Sequence, residues 1–267
     1  MQITPLLSIV VATHNRPGTL IRTLESIRRN VRQSREVLVI SDQMDLSQHI
    51  GVTSLLGEGD SFLFCPRLRG PAETRNLGIS LAKGEFIILF DDDDEFPDFD
   101  SYYKSFLEDA ISRRNVVTFS NVIIREEDRA NINLDTKAEY LLSLKHRVIN
   151  DIYIKNFILT PACVIPAFIA KQCSQDKYLR SLEDWDFLLN LMSKCAFVFS
   201  DTVGAVVYKD FVNTGVRRST SPEAGGTDIL LDYLYIYRRW PAPTRELKLA
   251  RAALLAENGL NIAAETL

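Results

Sequence analysis

Short apolar runs of strand length recur through the first half of the chain. Each run is continuous and rich in β-branched or other large apolar residues, which is typical of a strand covered on both faces. The predicted strands cover residues 8–12, 36–40, 86–90 and 116–119.

Apolar positions at helical spacing lie between these strands. Leu20, Leu24 and Ile27 recur at this spacing after Pro17, and Asn15 is the predicted cap of that helix. Further helices are predicted over residues 73–82, 99–110, 227–240 and 244–257. Because strands separated by helices form parallel sheets, we predict an α/β fold with a mostly parallel central sheet, helices on both faces and a C-terminal helical extension.

Polar side chains follow three of the predicted strands. They are Thr13, His14, Asn15 and Arg16 after the first strand, Asp42 after the second, and Asp91, Asp92, Asp93 and Asp94 after the third. Parallel sheets bind their ligands beyond the carboxyl ends of the strands. If the three strands are neighbours, these polar groups meet at one edge of the sheet.

The acidic run after the third strand contains five consecutive carboxylates, residues 91–95. Stability does not explain it, because like charges repel and burying one without a partner is costly. Alternate residues past a strand end point the same way, so Asp91 and Asp93 can present two carboxylates to one cation. Such oxygen ligands suit Mg²⁺ or Mn²⁺, which also bind diphosphate oxygens. The alternative is a solvated acidic loop.

Composition excludes several classes of protein. Of the 267 residues, 46% are hydrophobic and 25% charged, which allows a sizeable core, and the net charge of -4 argues against a nucleic-acid partner. Four widely spaced cysteines without a CxxC pair indicate free thiols in a reducing compartment. No apolar run approaches the roughly 20 residues that span a bilayer, and no signal-peptide pattern begins the chain. We therefore expect a cytoplasmic protein and leave peripheral attachment to the inner face of the membrane open.

Four segments together resemble the inverting family 2 glycosyltransferases of the GT-A fold. In order, and within residues 6–200, they are SIVVATHNRP, VLVISDQMD, GPAETRNLGISLAKGEFIILFDDDDEFP and LEDWDF. The third is the most specific, because an Arg-Asn-x-Gly helix, a Lys-Gly stop, an apolar strand and an Asp-x-Asp unit coincide. The resemblance implies sugar transfer from a nucleotide diphosphate sugar, expected to be UDP-linked, to a glycan, lipid-linked or small-molecule acceptor, with Mn²⁺ or Mg²⁺ as cofactor.

The resemblance also implies roles for the polar residues. It places Thr13 and His14 near the base, lets Asp42 accept the imide N–H of uracil, and gives Arg75 the phosphate oxygens. The implied nucleotide-binding residues are Thr13, His14, Asn15, Arg16, Asp42, Arg75, Asp91 and Asp92, and the implied metal ligands are Asp93 and Asp94. The register within the four aspartates is ambiguous by one residue. The alternatives are a turn cap at Asp42, a structural histidine at His14 and a surface ion pair at Arg75.

A Glu-Asp pair begins another predicted helix. Carboxylates in a first helical turn also complement the helix dipole, which is the alternative interpretation. The resemblance places the catalytic base at Asp184, where a carboxylate takes the proton of an acceptor hydroxyl. Glu183 and Trp185 are candidates for acceptor contacts, although core packing is the favoured interpretation of Trp185.

The chain departs from the family beyond this helix. Many relatives carry a Tyr-Arg-x-His unit whose histidine helps to hold the metal, whereas Phe211 stands at the histidine position here. Lys209, Arg217 and Arg218 are candidates for diphosphate contacts, either on a mobile flap or on a solvated basic loop. The aromatic and basic residues of the last helices favour a cover for the domain or a homodimer contact over a membrane contact.

These observations predict a glycosyltransferase domain over residues 1–205, followed by a flexible loop and helical extension over residues 206–267. The nucleotide-binding half is expected over about 1–97 and the acceptor half over about 98–205. Two other functions stay open. A sugar nucleotidyltransferase would usually have a glycine- and basic-rich loop after the first strand. A catalytically inactive relative would bind a nucleotide sugar without transferring it.

Overall fold

The computed structural model describes residues 4–43, 49–97, 100–128, 136–179, 181–210 and 226–267, in which eight strands and eight helices form. The strands are β1 (Leu7–His14), β2 (Arg35–Gln43), β3 (Ser61–Phe64), β4 (Phe86–Asp91), β5 (Val117–Glu127), β6 (Thr136–Leu142), β7 (Cys163–Pro166) and β8 (Phe197–Asp210). The helices are α1 (Pro17–Asn30), α2 (His49–Thr53), α3 (Pro71–Leu81), α4 (Asp100–Ser112), α5 (Ala167–Ala170), α6 (Glu183–Met192), α7 (Gly226–Arg239) and α8 (Arg245–Glu257).

One sheet contains all eight of these strands. Its order is β3-β2-β1-β4-β7-β5-β6, and β8 pairs with β5 outside this path. The strands from β3 to β4 pair in parallel, as do β5 and β8, whereas β7 and β6 pair antiparallel with their neighbours. The predicted α/β class and mostly parallel sheet are therefore confirmed. The carboxyl ends of β1, β2 and β4 lie side by side, which brings their polar residues to one edge.

Side chains of β1 alternate between two hydrophobic cores. Val10 packs in the core that contains Ile79 of α3, whereas Ile9 and Val11 pack in the core that contains Leu24 of α1. Full burial of one such side chain contributes roughly 1.5–3 kcal/mol. Because both faces of β1 are apolar and covered, the strand reads as a continuous apolar run in the sequence.

The start of α1 corrects one expectation. Arg16, not Asn15, occupies the cap position, and no side chain caps the helix. Pro17 is the first helical residue, and the residue before a proline is driven out of the helical region, so the boundary falls at Arg16. Asn15 has φ 50°, a left-handed conformation that asparagine tolerates better than most residues.

The C-terminal part also corrects the predicted division at residue 205. β8 crosses that position and stays paired with β5 as far as Asp210, so residues 206–210 belong to the sheet rather than to a loop. Beyond it, α7 buries Tyr233, Ile236 and Tyr237 in the hydrophobic core and so covers the domain, which is one of the two roles that the sequence favoured. No helix in the described ranges is both long and apolar enough to cross a membrane.

Close packing at Gly78 generates a stability prediction. A Cβ at Gly78 would collide with the side chain of Val10 on β1, whereas a Cβ at Gly18 of α1 would have no atom within 4 Å. We expect Gly78→Ala to lower the free energy of unfolding by about 1–3 kcal/mol, because the crowded core must shift. Gly18→Ala, the matched control, should be neutral or stabilising by up to about 1 kcal/mol. Urea denaturation measures both, and equal stability of the two variants would contradict the packing argument.

Candidate functional site

The acidic run begins at the last residue of β4 and turns back into the protein. Asp92, Asp93 and Asp94 are buried, with at most 2% of each residue exposed. Carboxylate oxygens of Asp91, Asp93 and Asp94 lie within 4.8 Å of one another. Three convergent carboxylates form an oxygen site that suits a divalent cation. The structure thus groups Asp91 with the two expected metal ligands.

Thr13, near the end of β1, and Arg16, just beyond that strand, bind the carboxylates of this run. The Arg16 guanidinium donates from Nε to Asp92 and from Nη1 to Asp93, both at 3.2 Å, and also pairs with the second oxygen of Asp92. Thr13 Oγ1 donates to Asp92 at 2.6 Å. Burial raises the pKa of Asp92 to about 6, and the Arg16 charge opposes that rise. These contacts exclude the solvated acidic loop as an interpretation of the run.

A second layer of contacts holds the run from behind. Arg22 donates to the carbonyl of Asp93 at 3.1 Å and pairs with Glu127 at 2.8 Å. The backbone N–H of Tyr208 donates to Asp94 at 3.2 Å, and its hydroxyl donates to Glu95 at 2.8 Å. Sequence reasoning missed Arg22, Glu127 and the role of Tyr208, because all three reach the run across distant elements.

The expected base-binding residues meet at the end of β2. His14 Nδ1 and Asp42 Oδ1 lie 2.7 Å apart, and the other Asp42 oxygen accepts the Gly70 N–H at 3.0 Å. Gly70 has φ 84°, a left-handed conformation that favours glycine, and it immediately precedes α3. Asp42 therefore anchors a turn, as its alternative interpretation stated. The exposed ring of His14 lies against Asp42.

Arg75 of α3 joins the acidic run to the Glu-Asp pair. Its guanidinium donates to Asp91 at 2.6 Å and to Glu183 at 3.4 Å. Burial alone would lower the pKa of Arg75, but the charges of Asp91 and Glu183 outweigh it and raise the pKa above its ordinary value. Because 9% of the Arg75 side chain is exposed, a surface ion pair is excluded.

The loop before α6 supports this arginine. Gln175 Oε1 accepts from Arg75 at 3.3 Å. The Asn76 side chain exchanges two hydrogen bonds of 2.8 Å with the Gln175 backbone, which fixes the loop against α3. Asn76 thus has a structural role. Gln175 lies outside every motif and was not predicted.

Asp184 stands at the first turn of α6, beside this arginine. Leu182, two residues before it, has a φ of 68°, which is a strained left-handed conformation for a bulky residue. Asp184 accepts from its neighbour's N–H, that of Trp185, at 2.7 Å and from Asn156 at 3.2 Å. Burial and then the charge of Glu183 raise the pKa of Asp184 to about 6, while Arg75 opposes the rise. A half-buried carboxylate with this pKa can accept a proton near neutral pH.

The structure does not place the side chains of the remaining acceptor and diphosphate candidates beside Arg75 and Asp184. Trp185 is fully buried, donates to the carbonyl of Ile152 at 2.7 Å, and has Tyr233 and Tyr237 against its ring, so it packs in the core. Lys209 is exposed on β8 and makes no ion pair with any residue in the described ranges. Arg217 and Arg218, and with them the Phe211 position, lie outside the described residues.

Comparisons of sequence place the chain among known transferases. The profile of glycosyl transferase family 2 matches residues 8–171, more than half of the chain. An uncharacterized glycosyltransferase of Haemophilus influenzae is 24% identical over 236 residues, which are 86% of this chain and 76% of that protein. WcaA of Escherichia coli K12, assigned to colanic acid biosynthesis as a glycosyl transferase, is 26% identical over 199 residues, covering 72% of this chain and 68% of WcaA.

Two solved structures share the fold at low sequence identity. S. aureus TarS 1–349 in complex with UDP-GlcNAc aligns with a TM-score of 0.62 and 17% identity, covering 93% of this chain and 71% of TarS. The mannosyltransferase PcManGT from Pyrobaculum calidifontis, in complex with GDP-Man and Mn²⁺, aligns with a TM-score of 0.57 and 13% identity, covering 99% and 78%. These structural likenesses show the GT-A fold, and the family profile shows that the chain belongs to glycosyl transferase family 2 and is a glycosyltransferase.

Proposed function

We propose that this glycosyltransferase is metal-dependent and inverting. It moves a sugar from a nucleotide diphosphate sugar, UDP-linked in this proposal, to a hydroxyl of a glycan, lipid-linked or small-molecule acceptor in polysaccharide or glycoconjugate biosynthesis. The observation that carries the proposal is the bridge from Asp91 through Arg75 to Glu183, beside Asp184. The Arg75 guanidinium thus joins Asp91, expected near the donor, to Glu183, expected near the acceptor.

The donor proposal rests on the edge formed by β1, β2 and β4. TarS and PcManGT were solved with UDP-GlcNAc and GDP-Man, which supports a nucleotide sugar here. The two carboxylate oxygens of Asp42 already contact His14 and the Gly70 N–H. Because each carboxylate oxygen has two lone pairs, Asp42 can still accept the imide N–H of uracil. His14, exposed beside it, offers a ring face to the base.

The carboxylates fit a divalent cofactor. Asp91, Asp93 and Asp94 converge, and their hard oxygen ligands match Mn²⁺ or Mg²⁺. We propose that Asp93 and Asp94 would hold the ion and that Asp91, which also contacts Arg75, would contribute negative charge to the site. When bound, such an ion stabilises negative charge on a leaving diphosphate.

The chain's own residues then perform the proton transfer and the charge stabilisation. The Asp184 carboxylate takes the proton of the acceptor hydroxyl while that oxygen attacks the anomeric carbon. The permanently charged Arg75 stabilises the diphosphate as the bond to the sugar breaks. A single displacement from the face opposite the leaving group inverts the anomeric centre. Glu183, paired with Arg75, holds that guanidinium in place.

Removing the base tests the catalytic assignment. Asp184→Asn should lower kcat by about 10²–10⁴-fold, since an amide cannot accept the proton, and should change UDP affinity by less than about threefold. Transfer from a panel of UDP-sugars and calorimetric titration with UDP measure the two effects. Asp201→Asn, which removes an exposed carboxylate, is the control and should behave as wild type. If Asp184→Asn turns over near the rate of an active wild type, Asp184 is not the base. If the wild type itself shows no transfer above the uncatalysed rate, the result favours the alternative of a catalytically inactive relative.

The raised pKa of Asp184 predicts a pH dependence. The base acts only when deprotonated, so kcat/KM should fall about tenfold per pH unit below its pKa of about 6 and level off above it. The residual activity of Asp184→Asn should lack this inflection. A wild-type profile that stays flat from about pH 5 to about pH 7 would contradict the role of Asp184.

Metal dependence has a test that needs no turnover. Calorimetry should show UDP binding about tenfold more tightly with Mn²⁺ than without it, a difference of about 1.4 kcal/mol. Asp93→Asn should abolish that difference because it removes a ligand oxygen. Asp109→Asn, on the surface of α4, should retain it. Equal Mn²⁺ enhancement in Asp93→Asn and wild type would remove Asp93 from the ligand set.

A further inference from the structure

Helix α7 is hydrogen-bonded to the segment that precedes Asp184. Asp232 accepts from the Ser181 N–H at 3.0 Å and from the Ser181 hydroxyl at 3.3 Å. Ser181 directly precedes the strained Leu182. A non-glycine residue in this conformation persists only where its surroundings fix it. Asp232 therefore fixes the entry to the turn on which Glu183 and Asp184 stand.

A second contact lies just beyond Asp184. Asp186 is completely buried, and it accepts from Trp240 Nε1 at 2.7 Å and from Arg239 Nη1 at 3.1 Å. Burial raises the pKa of Asp186, and these two donors oppose the rise. Only the carboxylate of this pair is buried, since 35% of the Arg239 side chain is exposed. Loss of the arginine would leave the buried Asp186 charge with the Trp240 N–H as its remaining donor in these two contacts, and an undercompensated buried charge is costly. The contacts of Asp186 with Arg239 and Trp240 thus fix the position of the first turn of α6 relative to the end of α7.

The same Arg239 nitrogen also reaches the loop that supports Arg75. It donates to Asp176 at 3.0 Å, and Asp176 accepts from the Tyr235 hydroxyl at 2.7 Å as well. Asp176 follows Gln175, which contacts Arg75 and is locked to Asn76. The Arg239 guanidinium therefore links the loop that supports Arg75 to helix α6, which carries Asp184.

We propose that Arg239, in the C-terminal extension, is a positioning residue that sets the place of Asp184 relative to Arg75 by clamping Asp176 and Asp186 together. It touches neither acid of the Glu-Asp pair nor the acidic run. Its kinetic consequence rests on the proposed function, whereas its structural consequence does not. Reactions that depend on alignment lose as much as about 10²-fold for a displacement of about 1 Å.

Kinetics of Arg239→Gln test the proposal in the full-length chain. We expect kcat for the best donor of a UDP-sugar panel to fall about 10–100-fold, while the donor KM and the affinity for UDP with Mn²⁺ change less than about threefold. Arg239→Lys should recover most of kcat, since one ammonium can face both carboxylates. Arg238→Gln removes the same charge from the neighbouring exposed position and should match wild type. Loss of UDP affinity in parallel with kcat, or no recovery by lysine, would overturn the proposal.

Hydrogen exchange supplies the measurement that needs no substrate. In Arg239→Gln, amides of residues 174–177 and 182–187 should exchange at least about tenfold faster, because the clamp no longer holds either segment. Exchange in β1 and β4 should stay unchanged, and Arg238→Gln should show neither effect. A uniform increase across the sheet, or equal exchange in the two variants, would refute the clamp. If no UDP-sugar is turned over by wild type, the proposed function fails while this exchange result still decides the clamp.

Discussion

The buried guanidinium of Arg75 is the constraint around which the site is arranged. It contacts a carboxylate at the end of the central strand β4 and another at the start of α6, two elements separated by about ninety residues of chain. Without a cation between them, Asp91 and Glu183 would repel in a poorly solvated space. The arginine thus permits two acidic groups to share one edge of the sheet, and its raised pKa keeps it positively charged at neutral pH.

Negative charge elsewhere along this edge is balanced in the same way. Arg16 faces Asp92 and Asp93 from the solvent side, and Arg22 holds the backbone of the run from within. Each arginine comes from α1 or the residue before it, so the helix after β1 serves both faces of the run. The balance also explains why so many acids can be buried at once, since each described carboxylate of the run has a donor or a cation beside it.

Local patterns were sufficient to predict the parts of the molecule that are built locally. β1, β2 and β4 are apolar on both faces, and the acidic run follows β4 directly, so position along the chain implied position in space. The strands β6, β7 and β8 pair antiparallel or across long separations, which no short pattern specifies. Gln175 likewise meets Arg75, and Asp186 meets Arg239, only through tertiary packing. A glutamine in a loop or an arginine at a helix end carries no signal of its own. The prediction that Asn15 caps α1 was wrong for a local reason. Pro17 excludes Arg16 from the helix, so the cap lies one residue later than predicted.

Leu182 links this architecture to protein engineering. Its left-handed backbone stores energy directly before Glu183 and Asp184, and glycine would adopt that conformation without steric penalty. Selection for thermal tolerance alone would therefore favour a residue there that relaxes the turn. The rigidity that leucine contributes would be lost with the strain, so heat resistance and turnover can be expected to trade against each other at this single position.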